Sequence, residues 1–590
     1  MLPFAFRSLE SACLRSALRL HIVSLTAVSL LLAGITAQAQ VAPRVIERQG
    51  QVIERQQQER LREEQERALQ QLPPRGGADL RAIEPQVSVP DLGVPCRDIR
   101  ELRISGAPLL PPDLRAGLTR DYAGRCLAVG DLEAVLAAIT KSYIERGYIT
   151  TRAYLPAQDL RSGVLEVTVV EGTIERFDLQ ASGREGAKVY LPGAFPSEAG
   201  ERLNLRDLEQ GIDQLNSLAS NSATLDVQPG SQPGQSVVVV RNQASLPVHL
   251  YASYDNLGTP STGKQALSAT VSFDSLLGFN ELFAVTRRQS VPHDGEHNSE
   301  TTALRAVLPW GYNTLSFDAS ESQYVNVLQL PSGNKLASEG TTITQSLALD
   351  RVVFRDQAGR LSLGGRLTTQ DTRSFLGGEY LPISSRTLTT FDLGLNGFTQ
   401  LAGGILNGRL GYVRGIKALG ALDDLDGLPE DFPHAQFGKF MVDAGYNRRF
   451  ELGGGTALLW STQVSGQYTR DVLYGSQQIL IGGASTVRGS LLNTLSGDRG
   501  WYARNDLSLP WQTTLADEPV AGRVYAGYDF GLVHNNAPFV PQGSMSGVTL
   551  GLAFQLRSVS VDLFASRAAH LPSWMPSEST LYSIRLSASL

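Results

Sequence analysis

From about residue 246 to the end of the chain, apolar side chains alternate with polar or small ones in segments of roughly 8–14 residues. The last segment places Tyr582, Ile584, Leu586, Ala588 and Leu590 on one face, with Ser583, Arg585, Ser587 and Ser589 on the other. The first sets Val248, Leu250, Ala252 and Tyr254 against His249, Tyr251, Ser253 and Asp255. A period of two is that of a β-strand. Strands are predicted near 247–256, 265–275, 279–289, 301–309, 313–321, 342–354, 359–370 and 385–397. The remainder fall near 403–414, 436–450, 456–470, 499–509, 522–534, 545–556, 558–566 and 581–590, which makes sixteen. In a water-soluble sandwich the apolar face would point inward; in a membrane barrel it points out to lipid. The connections favour the barrel, because they alternate long and short: 257–264 then 276–278, 290–300 then 310–312, 322–341 then 355–358, 371–384 then 398–402. Short periplasmic turns and longer outer loops produce that rhythm. The gap 510–521 breaks it, being long where a short turn is due. An even strand count returns both barrel ends to the periplasmic side.

Upstream the period changes. Residues 96–172 read as a strand (Ile99 to Ser105), helices at 111–122 and 129–146, and strands from Thr151 to Leu155 and Val164 to Glu171. On the second helix Leu132, Val135, Leu136, Ile139, Tyr143 and Ile144 share one face. Residues 173–243 repeat the order: a strand from Ile174 to Ala181, a short irregular segment, a helix at 204–220, and strands from Ala223 to Val227 and Ser236 to Arg241. Each unit is a small α+β domain with one sheet-on-helix core. Before them, residues 73–95 are a Pro-rich linker, and 40–72 hold a Gln/Glu/Arg-rich run with VIERQ at Val45 and again at Val52. That run is made of strong helix formers but has almost no apolar face after Leu61, so its helix must sit in a wet cavity or bridge solvent. A charged, disordered arm is the alternative.

Composition fixes the compartment. Arg7, Arg15 and Arg19 precede an apolar stretch from Ile22 to Ile35 and the small-residue pattern Ala37-Gln38-Ala39. Residues 1–39 therefore read as a secretory signal; a membrane anchor is the weaker reading, because the apolar stretch is short. Beyond it no uncharged apolar run is long enough for a spanning helix, which excludes a polytopic helical transporter. Subtracting the three Arg and one Glu of residues 1–39 from 52 basic and 58 acidic side chains leaves 49 and 57, a net charge near −8 that gives no reason to expect nucleic acid. Two cysteines remain, Cys96 and Cys126, and an even pair in an oxidising compartment is expected to form a disulfide; two separate thiols are the alternative.

A search for catalysis finds no phosphate-binding Gly-Lys-Ser/Thr loop, no G-x-S-x-G elbow and no H-E-x-x-H. No catalytic residue, cofactor or metal is predicted. His293 and His297 in HDGEH have metal-like spacing but lie in a long outer connection and read as surface residues. Two segments stand out. IGGASTVRGS, Ile481 to Ser490, sits within the longest connection, 471–498, the sixth outer loop. VYAGYDFGLV, Val524 to Val533, places Asp529 on the inward face between Gly527 and Gly531, which leave room for something to approach the wall. Were the loop to fold inward, Arg488 would be able to reach Asp529; the residues alone leave that pairing open.

These residues carry a resemblance. IGGASTVRGS resembles the Val-Arg-Gly-Tyr/Phe motif of the in-folded sixth loop of the BamA superfamily, and VYAGYDFGLV its partner strand. CRDIRELRISG, ITTRAYLPAQDL and GVLEVTVVEG resemble the first polypeptide-transport-associated (POTRA) domain of two-partner secretion outer-membrane transporters (TpsB), the haemolysin secretion/activation ShlB/FhaC/HecB family. The resemblance implies POTRA domains at 96–172 and 173–243 followed by an all-β, 16-stranded antiparallel transmembrane barrel at 246–590, in the outer membrane. It implies Val487, Arg488 and Gly489 as the loop motif, Asp529 as the salt-bridge partner of Arg488, and the 40–72 helix as a plug. Ser490 stands where an aromatic is usual, and Leu590 where Phe is usual. Implied partners are a large secreted exoprotein of adhesin or haemolysin type, outer-membrane lipid, and the barrel assembly machinery. The alternative function is insertion of other barrel proteins.

Overall fold

The structure is a computed structural model that describes residues 49–69, 95–183, 188–329 and 333–590. The predicted signal, residues 40–48 and 70–72 around the polar helix, and the linker up to residue 94 lie outside the described residues.

Sixteen long strands close into an antiparallel barrel, running in chain order from Val248–Asp255 to Leu581–Ser589, with a two-residue strand Glu379–Tyr380 folded beside the seventh. Exposed Leu304, Leu315, Phe317, Leu347 and Leu349 alternate with buried Ser316, Ser346 and Thr301, so the apolar face is outside and the polar face lines the lumen. Among the described residues no helix is long and apolar enough to cross a membrane. The barrel closes where the last strand pairs with the first, from Arg585↔Asp255 to Ser589↔Tyr251.

Two differences from the predicted strands have one cause. Strand twelve runs on to Leu515 and strand thirteen starts at Glu518, so the long gap at 510–521 is a tight hairpin with Ala516 and Asp517 at positive φ. Likewise strands five and six extend over Asn313–Gln329 and Lys335–Arg355, filling most of the predicted loop 322–341. Outside the lipid band neither face needs to be apolar, so alternation ceases while the hydrogen-bonded ladder continues.

Each periplasmic unit is a three-stranded mixed sheet covered by helices. In the first, Val164–Val170 is central, parallel to Glu101–Ser105 and antiparallel to Arg152–Tyr154. Helix Val129–Glu145 buries Val135, Ile139, Tyr143 and Ile144, the stripe predicted from its period. The second repeats the order around Gln235–Ala244, with Thr173–Gly183 parallel and Asn221–Pro229 antiparallel to it. The segment read as irregular contains a four-residue helix, Leu191–Ala194, followed by helix Leu205–Leu215. Glu171 joins the units, accepting from the Tyr143 hydroxyl at 2.7 Å and pairing with Arg202. Burial and that carboxylate push the Tyr143 phenol above its ordinary range, which keeps it a donor. A short ribbon, Arg97–Ile99 with Arg125–Leu127, carries the Cys96–Cys126 disulfide, Cα–Cα 5.3 Å.

The second unit is docked on the periplasmic turns of the barrel. Asn280 exchanges hydrogen bonds with the backbone of Tyr190 at 2.9 and 2.7 Å, and Gly311 O accepts from Gln210 and Gln214. Arg355 reaches Asp213 at 2.7 Å and Gln210 at 3.2 Å. The domain mouth and the barrel mouth are thus held together by polar contacts from three successive turns. Replacing both Cys96 and Cys126 by Ser is expected to cost the first unit about 3.5 kcal/mol through the freed loop. A lower urea midpoint for its proteolysis, with unchanged heat-modifiable mobility of the barrel, would register that loss.

Candidate functional site: the filled lumen

Among the described residues two chain segments occupy the lumen, and they are held in different ways. The loop between strands eleven and twelve does not project outward. It turns in as a small hairpin, Ile479–Ile481 paired with Leu495–Gly497. Ile479, Ile481, Val487 and Leu495 pack with Tyr502, Val533 and Met545 of the wall into a buried apolar cluster.

At its centre the structure brings Arg488 and Asp529 together. The guanidinium donates from Nε to Asp529 Oδ2 at 2.6 Å and from Nη2 to Oδ1 at 2.7 Å, and the Arg488 backbone N–H adds a third bond at 3.0 Å. Arg488 is 4% exposed and Asp529 0%. A second carboxylate, Asp506 on strand twelve, accepts from Nη2 at 2.7 Å. Asp506 was not singled out from the sequence, although its cross-strand partner is Gly527, so its side chain stands beside the same vacant spot.

Glycine makes the approach possible. A Cβ on Gly527 would lie 2.5 Å from Arg488 Nη2, and one on Gly531 would lie 2.9 Å from Val487 Cγ2. Gly547, on the next strand, would place a Cβ 1.7 Å from the Arg488 carbonyl oxygen. Gly489 has φ +107° and sits against the backbone of Arg567 and Ala568, a position no larger residue would fill without moving the wall. Ser490 is buried, as an aromatic would be, but its hydroxyl donates to Glu578.

The polar helix, described over 49–68, lies in the remaining lumen. Its contacts are almost all polar. Glu54 accepts from Thr342 at 3.1 Å, Gln370 at 2.5 Å and Thr372 at 2.8 Å. Glu64 accepts from Ser253 at 2.8 Å and lies 3.5 Å from Arg288, which also bonds Asp255 at 3.0 Å. Gln57 donates to Gln323 O at 2.9 Å, Gly475 N–H donates to Gln51, and Arg60 reaches Leu257 O. Only Ile53 and Leu61 are buried apolar side chains of the helix. Sequence periodicity gave no sign of Asp255, Arg288 or Arg585, whose guanidinium lies 3.8 Å from Glu63, as wall partners, because inward polar positions look alike in every strand.

HDGEH takes no part in this region. Asp294 accepts the backbone N–H groups of Glu296 and His297 at 2.9 and 2.6 Å, and Glu296 pairs with Lys335. Among the described residues no cluster of three or more metal-ligating side chains occurs.

The geometry makes three predictions. Arg488→Ala leaves the buried Asp529 without its cation and is expected to cost the in-folded state about 3–5 kcal/mol, and Asp529→Ala, which leaves Arg488 only Asp506, somewhat less. Gly547→Ala changes no charge yet should expel the loop comparably, because its methyl occupies the Arg488 carbonyl; cysteine labelling of the loop from outside the cell would read both. Arg288→Ala removes the cation shared by Glu64 and Asp255 and is expected to raise the open probability of the purified pore in planar bilayers.

Comparison with known proteins agrees with this architecture. The family model described as haemolysin secretion/activation protein ShlB/FhaC/HecB matches residues 234–554, and POTRA domain models match 98–172, the ShlB type, and 173–229. The chain is similar to the outer membrane transporter CdiB of Dickeya dadantii (strain 3937), 34% identical over 84% of this chain and 87% of that one. It is also similar to the hemolysin transporter protein ShlB of Serratia marcescens, 32% identical over 80% and 82%. The solved structure of CdiB from Escherichia coli superposes with a TM-score of 0.82 at 32% identity, covering 92% of this chain and 99% of that one. With periplasmic POTRA domains below a closed barrel, the chain belongs to the ShlB/FhaC/HecB family of outer-membrane transporters for two-partner secretion.

Proposed function

We propose that this chain secretes, and thereby activates, one large β-helical exoprotein of adhesin or haemolysin type, which the POTRA domains capture unfolded and pass through the barrel. Movement needs no nucleotide; folding of the exoprotein beyond the membrane makes it vectorial. The observation that carries the reading is the contrast inside the lumen. The loop is held by a buried bidentate ion pair, a second carboxylate and an apolar cluster, whereas the helix is held by hydrogen bonds and ion pairs between its charged side chains and a polar wall, about 1.5–3 kcal/mol for each hydrogen bond to a charged group, in which water takes the helix's place once it leaves. The helix is therefore the removable plug and the loop a fixed part of the wall, with Val487, Arg488, Gly489, Asp529, Gly527 and Gly531 as the residues that keep it there.

Capture would proceed by adding an extended segment of the exoprotein to a sheet edge, through main-chain bonds that need no fixed sequence. Each sheet has one edge strand antiparallel to its centre, and the chemistry of these two candidate edges differs. In the strand Arg152–Tyr154 the N–H of Ala153 is already bound to Thr140 Oγ1 at 3.2 Å. In the strand Asn221–Pro229, Asn216 occupies both main-chain groups of Ala223, at 2.7 and 2.9 Å, but the stretch from Leu225 to Val227 has a neighbouring strand on one side only. The second domain, docked at the barrel mouth, is the better placed of the two.

The test is secretion of a large exoprotein encoded beside this chain, in a deletion strain complemented with wild type, Arg488→Ala or Asp529→Ala. Folded barrels that fail to secrete support the reading. Secretion that persists in the uncomplemented deletion overturns it and makes barrel-protein insertion the leading function. For the capture step, photo-crosslinkers at Thr224 or Gln228 are expected to trap the exoprotein in transit; an empty crosslink at both positions would remove this edge from the pathway.

A further inference from the structure

The tip of the in-folded loop is bound by a carboxylate from another part of the chain. Glu578 lies in the last outer connection, 571–580, between strands fifteen and sixteen. Its two oxygens accept from the Ser490 hydroxyl, from the N–H groups of Leu491, Leu492 and Asn493 at 2.9, 3.2 and 3.0 Å, and from the Asn493 side-chain amide at 2.7 Å. Successive backbone N–H groups converging on one anion form a nest, a concavity that suits a carboxylate. The Asn493 side chain donates once more, to Pro576 O at 2.8 Å, which ties the tip to the same connection.

Several features mark this as a built contact. Ser490 and Asn493 are 2% and 6% exposed, in a turn whose N–H groups have no strand partner, and the Asn493 N–H also reaches Ser490 Oγ at 3.1 Å, so the turn closes on itself around Glu578. Burial opposes the charge on Glu578, yet Ser490 and the three backbone donors hold its carboxyl below the usual range. The neighbouring residues Leu571 and Met575 pack on the loop's apolar cluster. Gly489, one residue before the nest, rests on the backbone of strand fifteen itself. The Arg488–Asp529 pair therefore holds the loop from the wall side, and Glu578 meets it at the outer mouth.

We infer that Glu578 is a positioning residue that latches the tip of the in-folded loop to the last hairpin of the barrel, filling by hydrogen bonds the role that an aromatic at position 490 would fill by packing. The inference rests on the proposed reading of the loop as a fixed part of the transport path. It concerns a contact that neither the loop motif nor its strand partner contains.

The latch is tested in whole cells by a reporter, Thr486→Cys, which is 3% exposed and sits beside the motif while Cys96 and Cys126 are joined as a disulfide. The rate of labelling by a membrane-impermeant maleimide reads how often the loop leaves. Glu578→Ala is expected to speed labelling at least tenfold, Glu578→Gln by less, with the heat-modifiable mobility of the barrel unchanged. Adding Ser490→Phe to Glu578→Ala is expected to slow labelling again, which a general loosening of the outer mouth would not do. Labelling of folded Glu578→Ala barrels within twofold of the reporter alone overturns the latch; should that variant not fold, the Glu578→Gln comparison decides by the same criterion. Exoprotein secretion is followed in parallel. Fast labelling with undiminished secretion keeps the latch and overturns the role given to the loop, whereas slow labelling with normal secretion overturns the latch alone.

Discussion

A guanidinium can be buried inside a barrel only where carboxylates meet it directly and the backbone lets them come close. Arg488 satisfies both conditions. Asp529 takes it in a two-pronged hold and Asp506 takes the remaining edge, while Gly527, Gly531 and Gly547 keep the wall flat enough for the loop backbone to lie against it. Removing Arg488 leaves Asp529 buried without a cation, and removing Asp529 leaves Arg488 only the partly exposed Asp506. The apolar cluster around Ile481, Val487 and Met545 and the nest at 490–493 both presuppose a loop already placed by this ion pair.

Once the loop is fixed, the lumen has a definite second cavity, and the polar helix fills it with the opposite chemistry. Its carboxylates face hydroxyls, amides and Arg288, groups that water solvates as readily when the helix is gone. A helix amphipathic in the ordinary sense would have needed an apolar wall, and on the reading proposed above an apolar wall would bind unfolded chains too well to let them pass. The composition of the helix and that of the lumen thus match, and under the proposed function they give a closure that can be undone without exposing apolar surface.

Much of this was legible in the sequence. Period-two alternation located all sixteen strands because the lipid imposes it, and it failed where the ladder extends beyond lipid, at 322–341 and 510–521. The stripe from Leu132 to Ile144 showed one periplasmic helix, since a sheet lies on that face alone. Within the lumen the signal was uneven. Asp529 stood out between two glycines, but Asp506, Asp255, Arg288 and Glu578 occupy polar positions that nothing local distinguishes; their roles come from register and from contacts between residues as far apart as 490 and 578. The docking of the second POTRA domain through Asn280, Gly311 and Arg355 was invisible for the same reason, since turn residues are polar whether or not they touch anything.

The central claim is that the loop stays while the helix leaves, and the pair Val487 and Gly531 allows a direct measurement. Val487 Cγ2 lies 2.9 Å from where a Cβ on residue 531 would stand. The corresponding separation across a disulfide is about 3 Å, so Val487→Cys with Gly531→Cys would bond the loop to the wall once Ile481 Cγ2, which stands at the same 2.9 Å from that Cβ, gives way, and the oxidised barrel is first checked for heat-modifiable mobility. Secretion of the exoprotein would be compared between the oxidised and reduced forms of this variant. Equal secretion from the locked and the reduced barrel is the predicted result. Secretion that stops when the bond forms and resumes on reduction would show that the loop must move, and would contradict the account.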